Sequence, residues 1–162
     1  MVIGLPELFD VAHRAHVMGR EIVLTGGIYD ILTLGHLRHL EEARMFGDLL
    51  IVEMGDDALA QAAKGPGRPI QPIGTRSALV ASLKPVDHVV IVHSEGMKHD
   101  IIRALSPCAY VRGSEYTHGT MPEADLVESL GGSVAFTAFH GVEHDSDLIN
   151  RVRHLDACSD LA

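Results

Sequence analysis

Five short apolar runs punctuate the chain: Ile22–Leu24, Leu49–Val52, Val89–Val92, Ala109–Val111 and Val134–Phe136. Each is bounded by Gly, Pro, Asp or charged residues, and helical patterns lie between them. Short strands that alternate with helices imply a parallel sheet with helices on both faces. The expected fold is therefore α/β, with five parallel strands. Ahead of the first run, Pro6 to Met18 reads as an amphipathic helix within residues 1–20. Leu8, Val11, Ala12 and Ala15 recur at helical spacing, and Pro6 suits a first turn. Neither an internal repeat nor a low-complexity linker interrupts the pattern. The Gly/Pro-dense stretch Lys64–Pro72 reads as an ordered loop rather than a boundary. A length of 162 residues with 46% hydrophobic content suits one domain, with a polar tail at 156–162 expected to fray.

In a sheet of this Rossmann-like kind, ligands collect outside the carboxyl ends of the strands, where the strand order reverses. The carboxyl end of the first run leads into Gly26, Gly27, Ile28, Tyr29 and Asp30, then Thr33, Gly35 and His36, where a helical pattern begins. A tight glycine loop between a buried strand and a helix start can hold phosphate. The first N–H groups of the helix have no intrahelical acceptor, and the helix dipole adds partial positive charge. Gly26 and Gly27 allow close backbone approach. His36 adds a hydrogen-bonding ring to the same space, whereas His39, one turn further on, reads as solvent-exposed.

The formal charge of −9 argues against nucleic acid or an anionic membrane as partner. It also demands that any phosphate site concentrate cations locally, and Lys64, Arg68, Arg76 and Arg112 all fall in or beside candidate loops. No run is long enough to cross a bilayer, and the N-terminus lacks a basic-then-apolar signal pattern. With only Cys108 and Cys158, a disulfide framework is not expected, so a cytoplasmic setting is the simplest reading. The first helix offers a surface for a homodimer, although its apolar stripe requires burial in a monomer as well.

The loop Gly27-Ile28-Tyr29-Asp30-Ile31-Leu32-Thr33-Leu34-Gly35-His36 resembles the G-x-F-D-x-x-H-x-G-H signature of the nucleotidyltransferase superfamily, of cytidylyltransferase-like type. The likeness extends through Lys64-Gly65-Pro66-Gly67-Arg68-Pro69, Arg76, Val86–Val90 and Arg112-Gly113-Ser114-Glu115-Tyr116. In order and spacing these look like the heptose 1-phosphate adenylyltransferase domain, from Glu7 to Val152. The resemblance implies a Mg²⁺-dependent enzyme that takes a nucleoside triphosphate and a small phosphorylated acceptor, a sugar phosphate, and releases pyrophosphate. It implies catalytic roles for His36, Lys64 and Thr33. It implies nucleotide-binding roles for the Gly26–Asp30 loop, Gly35, Arg76, Arg112, Gly113, Glu115 and Ser146. No residue is expected to be a dedicated metal ligand, and His140, Glu143, His144 and Asp145 match no ligand template. Asp30 has three readings: capping loop N–H groups, pairing with a cation, or holding Mg²⁺ through water. Capping is the plainest.

Several positions depart from the pattern. Thr33 stands where the sugar-phosphate branch has a second His. Its hydroxyl can donate to phosphate but adds no charge. Arg112, Ser114 and Glu115 replace Lys, Gly and Asp, which changes the shape expected of the acceptor or ribose pocket. A Ser/Thr-rich turn before the last helix is reduced to Ser146 between Asp145 and Asp147. These departures keep two alternatives open: a CTP-dependent enzyme acting on a polyol phosphate or phosphonate, and a non-catalytic nucleotide-binding pseudoenzyme.

Overall fold

The computed structural model describes residues 1–138 and 147–152. Six parallel strands form one sheet: β1 (Val2–Ile3), β2 (Ile22–Gly27), β3 (Leu49–Gly55), β4 (His88–Val92), β5 (Ala109–Arg112) and β6 (Ser133–Phe136). Their order is β1-β4-β3-β2-β5-β6. The sheet thus holds six strands rather than the five expected. The extra one, β1, is two residues long and pairs only at the edge, Val2 with Val89 and Ile3 with Val90. Two residues carry too little alternation to register as a strand, so the sequence pattern assigned them to the N-terminal helix. The chain moves outward from β2 through β3 to β4, then returns to the other side of β2 at β5 and β6. The order reverses at β2, and the crevice this creates lies at the carboxyl ends of β2 and β5.

Helices α1 (Leu5–Val17), α2 (Leu34–Arg44), α3 (Asp57–Lys64), α4 (Ile73–Ala81), α5 (Glu95–Leu105) and α6 (Ala124–Ser129) cover the sheet, and residues 147–152 are also helical. One face packs Leu24, Ile51, Val90 and Tyr110 against α1, α5 and α6, through Leu8, Val11, Ile101, Ile102 and Val127. The other packs Val23, Leu50, Val52 and Val89 against α2 and α4, through Leu40, Ala43 and Val80. Both faces are covered, so the strands are apolar almost without alternation, as a parallel sheet requires. The α1 stripe expected from its spacing, Leu8, Val11, Ala12 and Ala15, is the buried set observed. No helix among the described residues is long and apolar enough to cross a membrane.

Leu50, the second residue of β3, is fully buried. Leu50→Ala is expected to lower stability by about 2–5 kcal/mol, read as a shift of the urea midpoint with the m-value unchanged.

Candidate active site

A cavity of about 750 Å³ opens at the carboxyl edge of the sheet, and all but three of the expected site residues line it. Asp30 and Arg76 are turned away, and Ser146 lies outside the described residues, as do Cys158 and the 156–162 tail. Thr33 caps α2. Its Oγ1 accepts from His36 N at 3.4 Å, and its own N–H donates to His36 Nδ1 at 3.2 Å. An Nδ1 that accepts cannot carry the proton of a neutral imidazole, so the proton is assigned to Nε2. The cap therefore makes His36 a hydrogen-bond donor through Nε2, beside the first turn of α2 where the dipole favours anions. The Tyr29 ring meets the imidazole edge-on at 5.2 Å. Lys64, the last residue of α3, lines the same cavity.

Asp30 and Arg76 hold the loop between α3 and α4. The Asp30 carboxylate is completely buried and accepts from Arg68 Nε at 2.6 Å, Ile70 N at 2.8 Å and Gln71 N at 3.0 Å. Burial alone would raise its pKa, but the Gln71 and Ile70 N–H groups and Arg68 outweigh that and hold it below the usual carboxylate range. Of the three roles open to Asp30, the geometry fits loop capping and cation pairing together. Arg76, expected to bind phosphate, is corrected to an internal tie. Its guanidinium donates to the carbonyls of Gln71, Ile28 and Gly55 and to Asp57 Oδ1, at 2.6–3.1 Å, and the side chain is fully buried. A fork engaged on three carbonyls has no geometry left for bidentate phosphate binding.

The glycines also serve differently from the expectation. A Cβ on Gly26 would lie 2.5 Å from Glu53 Cγ and Oε1, and one on Gly27 would lie 2.8 Å from the Tyr29 ring. Their bare backbone makes room for the protein's own side chains. Tyr29 itself has φ 49°, a left-handed conformation uncommon outside glycine. Glu115 folds its carboxylate back over Gly113 in the same manner. Arg112 donates to Gly26 O at 3.0 Å and stacks its guanidinium over the Tyr116 ring at 4.2 Å. Burial works against its charge, but Tyr110, Tyr116 and Glu53 more than offset it and push its pKa up.

Two cavity residues escaped the sequence reading of the site. His39, expected in solvent, bridges Thr25 Oγ1 and Thr137 Oγ1, each at 2.8 Å. Thr25 spends its own hydroxyl proton on Val111 O, so it accepts from His39 Nε2–H, and Nδ1 accepts from Thr137. Burial, with Arg112 and His36 nearby, pulls the His39 pKa down to about 4. The three-residue spacing from His36 put both rings on one helix face and was the available signal. Glu53 is 3% exposed, and its Oε1 accepts from Tyr110 O–H at 2.5 Å. Burial raises its pKa to about 7, against the pull of the Tyr110 bond, Lys98 and Arg112. A single acid at the carboxyl end of an apolar run was its signal.

A cytidylyltransferase-like family model matches residues 24–139. The chain belongs to the cytidylyltransferase-like family. It is 36% identical over 152 residues, 94% of its length, to the bifunctional protein HldE of Pseudomonas fluorescens, and equally so to that of Azotobacter vinelandii. It spans about a third of the length of those relatives, 32%. Among solved structures it is similar to a lipopolysaccharide core biosynthesis protein from Thermoplasma volcanium, with a TM-score of 0.64 and 28% identity over 75% of this chain and 99% of that one. The family is one of nucleotidyltransferases, so the chain is an enzyme of that class.

Two measurements test the site's scaffold. Arg76→Met leaves three carbonyls and Asp57 short of a donor and should destabilise the fold by about 3–5 kcal/mol in denaturant titration. Folded His39 stays neutral below the unfolded value near 6.5, whereas the unfolded chain takes up its proton there. Wild type should therefore lose stability relative to His39→Gln as the pH falls from 6.5 to 4, by on the order of 2 kcal/mol, read from paired melting curves.

Proposed function

We propose that the protein transfers the adenylyl group of ATP to a sugar phosphate, with heptose 1-phosphate as the first candidate, and releases pyrophosphate. What carries this reading is His36, held by the Thr33 N–H as an Nε2–H donor at the start of α2 and facing a cavity shared with Lys64. The similarity to HldE proteins over 94% of this chain and the similarity to a lipopolysaccharide core biosynthesis protein support the choice of acceptor class.

In the step proposed, a phosphate oxygen of the acceptor attacks the α-phosphorus. A new P–O bond forms to the acceptor, the bridging bond to the β-phosphate breaks, and pyrophosphate leaves with that electron pair. Such a transfer asks the protein for alignment and for positive charge where negative charge accumulates. His36 Nε2–H donates to the phosphate chain, and Lys64 supplies a full positive charge. The dipole of α2 adds to both. Mg²⁺ fits this scheme as a companion of the triphosphate rather than as a protein-held ion. Asp30, the acid within the loop, has both oxygens engaged by Arg68, Ile70 and Gln71.

A pyrophosphate-release assay across four nucleoside triphosphates and a panel of sugar and polyol phosphates tests the proposal. Release is expected with ATP and heptose 1-phosphate. Release only with CTP and a polyol phosphate would move the chain to the cytidylyl branch. Nucleotide binding without release for any acceptor would defeat the transfer. His36→Ala should lower kcat/KM at least a hundredfold, about 2.7 kcal/mol, while the melting temperature moves by no more than a few degrees. A large fall in melting temperature would assign the ring to scaffolding instead.

A further inference from the structure

Glu53 interrupts the apolar sequence of β3 at the level where the strand leaves the core. Its neighbours Leu50, Ile51, Val52 and Met54 are all fully buried and apolar. Its Oε1 takes the Tyr110 hydroxyl, but Oε2 is buried without a hydrogen-bond partner among the described residues. An unmatched buried carboxylate oxygen costs free energy that a valine at this position would not incur. A ligand that supplies the missing donor would remove that cost.

The register shows which part of the cavity it serves. Glu53 pairs with Gly26 in a parallel ladder, two residues beyond the pair Leu24 and Ile51, so it shares their face, the one covered by α1, α5 and α6. The cavity reaches it there, between Val92 at the end of β4 and Lys98 on α5. The Lys98 ammonium is already shared between Glu95 at 2.9 Å and Glu123 at 3.0 Å. The arm beneath His36 on the opposite face is built from donors, which suits phosphate. Beside Arg112 and Lys98, Glu53 adds an acceptor to its arm, which phosphate oxygens cannot satisfy and a hydroxyl can.

We propose that Glu53 determines acceptor specificity by accepting, at Oε2, a hydrogen bond from a hydroxyl of the acceptor's carbon skeleton, so that the acceptor is polyhydroxylated beyond its phosphate. The inference rests on the transferase reading above. The ribose of the nucleotide carries the same chemistry, and the test separates the two.

Calorimetric titration of wild type, Glu53→Gln and Glu53→Ala answers the question without requiring turnover. The titrants are heptose 1-phosphate, inorganic phosphate and a non-hydrolysable ATP analogue, with the sugar phosphate titrated in the presence of the analogue. Glu53→Ala is expected to weaken heptose 1-phosphate at least tenfold. Glu53→Gln, which matches the native shape and removes a buried charge, should weaken it at least threefold and decides the matter if the alanine variant does not fold. Affinity for the ATP analogue should stay within twofold, and the preference for heptose 1-phosphate over inorganic phosphate should collapse. Unchanged heptose 1-phosphate binding in both variants overturns the inference while leaving the transferase reading intact. Loss confined to the ATP analogue overturns it in favour of a ribose contact. If wild type binds the analogue but no phosphorylated sugar, the acceptor reading itself fails, and the inference fails with it.

Discussion

The carboxylate of Asp30, buried and fully engaged, ties the glycine loop after β2 to the loop after α3. Breaking such a tie would strand a charge in the interior, which is far costlier than the pair is stabilising. Arg76 reinforces the tie from below by gathering the carbonyls of Ile28, Gly55 and Gln71 onto one guanidinium. Between them, two residues that look like ligands fix the course of the backbone at both sides of the cavity. The residues that meet the cavity, His36 and Lys64, are carried on segments this pair anchors.

The cavity so framed has two chemically unlike regions. On the α2 side, the helix start and the Nε2–H of His36 are donors, and Lys64 at the end of α3 lines the same cavity. On the α5 side stands an acceptor, the unmatched oxygen of Glu53, near Arg112 and with Lys98 held between two acids. A nucleotidyl transfer joins two anions, and the mutual repulsion of its substrates must be countered at the reacting phosphates alone. In the transfer proposed, a hydroxyl held at Glu53 would orient the acceptor while its phosphate faces the donor.

The α/β architecture was legible because both faces of the sheet are covered, which turns β2 to β5 into unmistakable apolar runs between helical stretches. Two-residue β1 was not legible, since its identity comes from pairing with β4 rather than from its own composition. The glycine loop and His36 could be read from local order alone, because loop, cap and helix start are contiguous. Arg76 could not be read, since the carbonyls that claim it come from Ile28 and Gly55, far away in sequence. Nor could His39 or Glu53, whose partners Thr137 and Tyr110 lie 98 and 57 residues on. Side-chain chemistry was visible in the sequence; whether a group turns toward the ligand or inward was decided by contacts between remote segments.

His39 and Glu53, on opposite faces of the sheet, have pKa values displaced by burial in opposite senses, to about 4 and about 7. Between about pH 4.5 and 6.5 the folded chain resists a proton at the first site and welcomes one at the second. The two linkages work against each other, so their joint effect on stability is small, while the Glu53 wall of the crevice loses its negative charge and the His39 wall stays neutral. Acid would thus retune what the crevice attracts at its Glu53 wall first.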